Sequence, residues 1–184
     1  MELTSEHIIK VCHYAAPCGP LVLGELDGRL CLCDWDNEAR QQTTRRLLQK
    51  TWRPTYRVGE TELPARAAAQ LDEYFDGRRT TFDLPLLFAG TAFQQRVWTA
   101  LLQVPYGTTV SYGELAARLG RPTAVRAVAG AVGANPLSIF VPCHRIVGSD
   151  GSLTGYAGGL AAKQFLLEHE QGTYASVNSS PRFG

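Results

Sequence analysis

The chain of 184 residues has no apolar run near the roughly 18 residues that a membrane-crossing helix needs, so no membrane role is expected. Its start, "MELTSEHIIK", lacks the charged segment and apolar stretch of a secretory signal, and a cytoplasmic protein is expected. A paired disulfide framework is excluded by an odd cysteine count of five, which instead suits reduced thiols. No internal repeat or low-complexity block stands out. No sign of charge dominates either: 18 basic against 17 acidic side chains leave +1, which argues neither for nor against nucleic acid. The distribution says slightly more. Residues 1–88 carry 11 basic and 13 acidic groups, whereas residues 89–170 carry 6 and 4, so a DNA surface is expected in the second half.

What is present is ordinary for a folded protein: 45% hydrophobic and 19% charged residues, enough for a sizeable core. The first half alternates strand and helix signals. "HIIKVCHYA" reads as a strand, and "PLVLGEL" and "RLCLCDW" flank Asp27-Gly28, a strong hairpin signal. "NEARQQTTRRLLQK" and "PARAAAQLDEYFDG" read as helices, the second with Ala68, Leu71 and Phe75 at helical spacing and Gly77 closing it. Proline and glycine in "FDLPLLFAGT" suggest a linker. Cys31 and Cys33 would share one face of a strand, as small core residues rather than a metal clip. Cys12 with His13 is read the same way.

In the second half, Phe93, Val97, Leu101 and Val104 form one helical stripe stopped by Pro105. Ser111 and Glu114 have the spacing of a capping box, so a short helix opens there. A second follows in "RPTAVRAVAGAVGANP" after a turn of three or four residues, and "LAAKQFLLEHE" gives the last helix. The first two make either a helix-turn-helix or an ordinary helical corner. The helix after Pro122 has almost no side-chain bulk. Packing against a neighbouring helix would account for its glycines; so would close approach to another polymer. With Arg126 as its one long polar side chain it suits a minor groove, where shape is read, better than a major groove.

Then comes "IFVPCHRIVG". A free thiol is only a few per cent thiolate at neutral pH, so a nucleophilic Cys143 needs a base such as His144, itself oriented by a carboxylate. A buried inert cysteine is the alternative. Glu168 and Glu170 lie about 200° apart around a continuous helix, so both cannot face His144. Glu170 is about 40° from the apolar Leu166, on the inward side.

These stretches together, "FQQRVWTALLQVPYGTTVSYG", "SYGELAARLGRPTAVRAVAGAVGANP" and "VPCHRIVGSDGSLTGYAGGLAAKQFLLEHE", resemble the methylated-DNA–protein-cysteine methyltransferases, single-use repair proteins for 6-O-alkylguanine. The resemblance is dense over roughly residues 91–170 and looser before. It implies a ribonuclease H-like α/β domain over 1–88, with a small antiparallel sheet and helices. It implies a mostly α, winged-helix-like domain with a helix-turn-helix over 89–170, and a flexible tail over 171–184. Cys143 would accept the alkyl group, His144 would deprotonate it through a water, and Glu170 would orient His144. Tyr112 would rotate the nucleotide and give a proton toward the departing guanine; Arg126 would fill the gap left by the flipped base. Ala127, Ala131, Ser111 and Tyr112 would meet DNA, with Asn135 supporting the loop to the active site. Val141, Tyr156, Ala157, Gly158 and Gly159 would wall the guanine pocket, Ala157 standing where some members carry a serine. The partners implied are double-stranded DNA and alkylated guanine, for a monomer with no cofactor and no metal. A zinc site among Cys12, His13, Cys18, Cys31 and Cys33 finds no matching spacing. A turnover cysteine hydrolase would not need the slim helix, and a plain helix-turn-helix regulator would not need Pro-Cys-His-Arg.

Overall fold

The computed structural model describes residues 7–59 and 61–172. Its first half is a four-stranded sheet in the order β3-β2-β1-β4, built from β1 (Ile8–Ala16), β2 (Gly19–Leu26), β3 (Arg29–Trp35) and β4 (Thr55–Val58). Asp27 and Gly28 both take positive φ, 50° and 73°, and Leu26 pairs with Arg29, so the two-residue turn has the form that matches strand twist. The antiparallel meander gains β4 as a parallel neighbour of β1. This strand, only "TYRV" and largely exposed at a sheet edge, has no alternation that would announce it.

Cys31 and Cys33 do not share a face. Pairing between β2 and β3 runs Gly24 with Leu32 and then Glu25 with Leu30, so Cys31 is the extra residue of a bulge. The bulge turns Cys31 toward the cluster of Ile9, Leu26 and Leu48 under α1 (Glu38–Trp52), while Cys33 joins the main core. Asn37 caps α1 by accepting from the Arg40 amide. On the opposite face the sheet is covered by α2 (Glu62–Phe75) and by the second half of the chain.

The stretch "FDLPLLFAG" is no open linker. Leu30 donates to Pro85 O and accepts from Leu87 N, both at 2.9 Å, so the segment runs along the outer edge of β3. Its apolar side chains make this favourable: Leu84, Leu86 and Phe88 pack on the core, and Phe82 meets Phe140 at 4.5 Å. The same edge also holds the loop before Cys143, through Cys33 N to Pro136 O at 2.9 Å and Ser138 N to Cys33 O at 2.7 Å. One buried cluster therefore runs from Leu21 and Leu23 through Trp98 to Cys143 and Leu166.

The second half comprises α3 (Ala92–Leu101), β5 (Val110–Ser111), α4 (Tyr112–Arg118), α5 (Val125–Gly133), a 3-10 turn (Cys143–Arg145), β6 (Ile146–Val147) and α6 (Leu160–Glu170). β5 and β6 pair in parallel, joining the start of α4 to the end of the 3-10 turn. The helix after Thr91 ends at Leu101, short of Pro105, although Val104 is still buried. Ser111 caps α4 with the capping box expected of Glu114. Six residues, 119–124, separate α4 from α5, a longer turn than the spacing suggested. Among the described residues no helix is long and apolar enough to cross a membrane. Gln171 and Gly172 turn after α6; the rest of the expected tail, 173–184, lies outside the described residues.

Candidate active site

Pro142 leads into the 3-10 turn that carries Cys143, His144 and Arg145, all three buried. Asn135 sets the approach. Its amide donates to Val141 O and its carbonyl accepts from Leu137 N, both at 2.9 Å, closing residues 135–141 into one loop. Ile139 sits inside that loop at φ 72°, a left-handed conformation that costs a β-branched residue of order 1–3 kcal/mol. The Cys143 amide donates to Val141 O at 2.8 Å, so the loop of residues 135–141 is bonded directly to the residue that carries the thiol.

Behind the thiol lies a buried charge cluster. His144 Nε2 stands 2.7 Å from Glu170 Oε1, with both side chains fully inaccessible. Arg145 grips the same carboxylate through Nε to Oε2 at 2.8 Å and Nη2 to Oε1 at 2.9 Å. Tyr74 of α2 adds its hydroxyl at 2.7 Å, and Gly107 N adds a longer bond at 3.2 Å. Burial alone would push the Glu170 pKa up; the hydrogen bonds from His144 and Arg145, with the Arg145 charge, outweigh that and hold it well below the usual carboxylate range. Burial pushes the His144 pKa down, with the Arg145 and Lys163 charges acting in the same sense. The pair is therefore a carboxylate and a neutral imidazole that donates from Nε2. That tautomer leaves a lone pair on Nδ1, which is buried and has no hydrogen-bond partner among the described residues. Burial raises the Cys143 pKa, opposed by Asn135 and by the charges of Arg40 and Lys163, so the resting group is a thiol.

Cys143 opens into a cavity of about 600 Å³. Tyr112, Arg126, Asn135, Tyr156 and Ala157 line it with the thiol, so these five expected residues converge. His144 and Glu170 stand behind, and Val141 acts through its carbonyl. Ser111 is the N-cap of α4, which fixes Tyr112 at the first helical position. Thr154 donates to Tyr112 Oη at 3.3 Å, and Lys163 Nζ donates to Thr154 O at 2.9 Å. Gly158 is required by its neighbour: a Cβ there would lie 2.3 Å from the Trp35 ring. Gly159, at φ 87°, then turns the chain into α6. Trp35 also meets Tyr156 edge-on at 5.7 Å, so β3 backs the pocket wall.

On α5 the two alanines part ways. Arg126 and Ala127 are exposed, as are Gly130 and Gly133. Ala131 is buried, with its carbonyl accepting from Trp98 Nε1 at 2.8 Å, so the expected DNA contact at Ala131 is corrected to a core position. A Cβ added at Gly130 or Gly133 would meet nothing within 4 Å, and packing against a neighbouring helix does not explain these glycines. The smooth face of α5 points outward.

Several participants carry no signal in the sequence. Arg145 stood in the quoted motif without a role, and Tyr74 lies 96 residues from the carboxylate it serves. Arg40 of α1 donates from Nε to Asp34 at 2.7 Å, from Nη1 to Gly133 O at 2.8 Å, and from Nη2 to Asn135 O at 2.5 Å. It ties the carboxyl end of α5 and the start of the loop over 135–141 to the N-terminal sheet. Among the described residues no three His, Cys, Asp or Glu side chains stand together as a metal site. His13 Nδ1 pairs with Asp36 at 3.0 Å instead.

Residues 9–88 match the ribonuclease-like domain of 6-O-methylguanine DNA methyltransferase, and residues 92–172 match its DNA binding domain. A methylated-DNA–protein-cysteine methyltransferase of Mycobacterium tuberculosis is 50% identical over 131 residues, covering 70% of this chain and 79% of that protein. That of Mycobacterium leprae is 45% identical over 159 residues, covering 85% and 88%. The solved structure of Mycobacterium tuberculosis OGT in complex with DNA superposes with a TM-score of 0.76 at 40% identity, covering 89% of this chain and 94% of that one.

Proposed function

Since the chain belongs to the 6-O-methylguanine DNA methyltransferase family and is a DNA-repair alkyltransferase, we propose that the alkyl group it removes from guanine ends on Cys143. The observation that carries this is Cys143 on the wall of a cavity beneath a smooth, Arg126-bearing helix, next in the chain to a buried His144 that is paired with Glu170.

The methylated oxygen of guanine is inside the duplex, so the nucleotide must leave the stack, at a cost of a few kcal/mol. Gly130 and Gly133 let α5 approach a minor groove, and Arg126 enters the vacated space. The base then occupies the cavity against Tyr156 and Ala157. His144 Nδ1 takes the Cys143 proton through a water, and Glu170 stabilises the imidazolium that results. The thiolate attacks the methyl carbon, a C–S bond forms, and the C–O bond breaks with its electron pair leaving on the guanine oxygen. Tyr112 supplies a proton on that side. The product thioether has no acidic S–H and no route back to a thiol, so each molecule acts once. The electrons come from sulfur, and the reaction as proposed needs neither metal nor cofactor. A single chain supplies every group, in keeping with a monomer, and we place its action in the cytoplasm. We also place the division of the chain at residue 88, with an α/β half before it and a DNA-binding and alkyl-accepting half over 89–170.

The test is stoichiometry. A duplex holding one labelled 6-O-methylguanine, in excess, should transfer one methyl per protein and then stop. Product in excess of protein would refute the single-use reading.

A further inference from the structure

The first half of the chain is acidic overall, yet residues 39–59, "ARQQTTRRLLQKTWRPTYRVG", hold six cations and no acid. Arg40 is the buried clamp described above. The other five, Arg45, Arg46, Lys50, Arg53 and Arg57, are exposed, and none of them makes an ion pair among the described residues. Arg46, Lys50 and Arg53 recur at i, i+4 and i+7, which places them on one face of α1 and its C-cap. With Arg45 and Gln49 they ring a surface hollow of about 610 Å³ floored by Tyr56. The Arg45 guanidinium lies 5.6 Å over the Tyr56 ring. The Tyr56 hydroxyl is buried and has no hydrogen-bond partner among the described residues.

A helix end attracts cations to its carbonyl dipole, which would account for Lys50 and Arg53. It does not account for Arg45 and Arg46 a turn or more earlier, for Arg57 on β4, or for a hollow that gathers four cations. An anion seated among these charges would relieve their mutual repulsion.

Position supplies the anion. Through Arg40, the first turn of α1 is bonded to the carboxyl end of α5. At about 1.5 Å per residue, Arg46 and Arg53 stand about 9 and 20 Å further along the α1 axis. A duplex running alongside α1 would cover that offset in about three to six base pairs, at about 3.4 Å per nucleotide step. We propose that this basic face of α1 is a second DNA surface, which holds backbone phosphates flanking the lesion while α5 holds the lesion itself. The inference rests on the DNA-repair reading above. Such contacts read no sequence; they add affinity and register, and they are salt-dependent.

The test compares Arg46→Gln/Lys50→Gln/Arg53→Asn with the unmodified face; Asn tolerates the left-handed backbone that Arg53 adopts at φ 50°. Binding is measured on a Cys143→Ser background, to duplexes of about 8 and about 24 base pairs with one central 6-O-methylguanine, between about 50 and 200 mM salt. The triple variant should lose at least tenfold in affinity for the long duplex at low salt, with the slope of log K against log salt shallower by about 2 to 3. The short duplex should change less than threefold. With Cys143 intact, the variant should react with free 6-O-methylguanine at the unmodified rate. An unchanged long-duplex slope, or equal losses on both lengths, would overturn the proposal. So would fewer copies per duplex at unchanged slope, which would assign the face to a second copy of the chain. If the unaltered face bound neither duplex, the DNA-repair reading itself would fail, a separate outcome.

Discussion

Glu170 accepts from five donors, on His144, Arg145, Tyr74 and the Gly107 amide, and this convergence decides the protonation of the whole site. Arg145 neutralises the carboxylate, which leaves His144 free to stay neutral, as the proposed base must be. Glu170→Gln should remove the negative charge and one of the two acceptor oxygens, leaving Arg145 buried without its anion and a protonated His144 without its counter-charge. Loss of one partner from a buried pair costs about 3–5 kcal/mol, so the variant should melt lower and label more slowly at Cys143. Glu168→Gln should do little, because Glu168 is half-exposed and bonds Gln164 on its own helix. The check is iodoacetamide labelling of Cys143 against pH in both variants; an unchanged profile in Glu170→Gln would remove the relay.

The same groups set acid sensitivity. The Glu170 and His144 pKa values are both depressed by folding, so in each case the unfolded chain binds more protons as pH falls. Stability should begin to fall below about pH 6.5 as the unfolded histidine charges, and fall further below about pH 4.3 as the unfolded carboxylate protonates. Denaturant midpoints across that range would show it, and Glu170→Gln should flatten the lower part. Much of this was legible in the chain: the motif pointed to Cys143 and His144, and helical phase separated Glu170 from Glu168. Arg145 and Tyr74 were not legible, because a charge partner chosen by the tertiary fold has no local pattern.

Among the elements, α5 carries the argument about DNA. Glycine inside a helix costs about 1 kcal/mol relative to alanine, and Gly130 has open space where a side chain would stand. Gly130→Leu should therefore raise thermal stability slightly and leave reaction with the free base intact, while duplex repair falls at least tenfold. Arg126→Ala should show the same division for another reason, since only the duplex requires the base to be replaced. Equal losses on duplex and free base would make either residue structural. The capping box at Ser111 and the Asp27-Gly28 turn could be read directly, because each is decided by residues within four positions. The bulge at Cys31 and the exposed edge strand β4 could not, since pairing with a distant strand creates both.

At the scale of the molecule, the two halves meet where the chemistry occurs. The edge of β3 holds the loop that leads to Cys143, Trp35 backs Tyr156, Tyr74 reaches Glu170, and Arg40 fastens the end of α5. Composition placed DNA binding in the second half and gave no sign that the first half positions it. Arg40→Met should leave Asp34 without its cation and two carbonyls without their donor. Duplex repair should then slow more than free-base reaction, at temperatures well below the melting midpoint. The most direct test of the account is the mass of the intact protein, with peptide mapping, after exposure to excess duplex containing 6-O-methylguanine. A gain of about 14 Da per molecule is expected, all of it on the peptide carrying Cys143, and none in Cys143→Ser although that variant still binds the duplex. A gain on Cys12, Cys18, Cys31 or Cys33, or repaired duplex with no gain in mass, would contradict it.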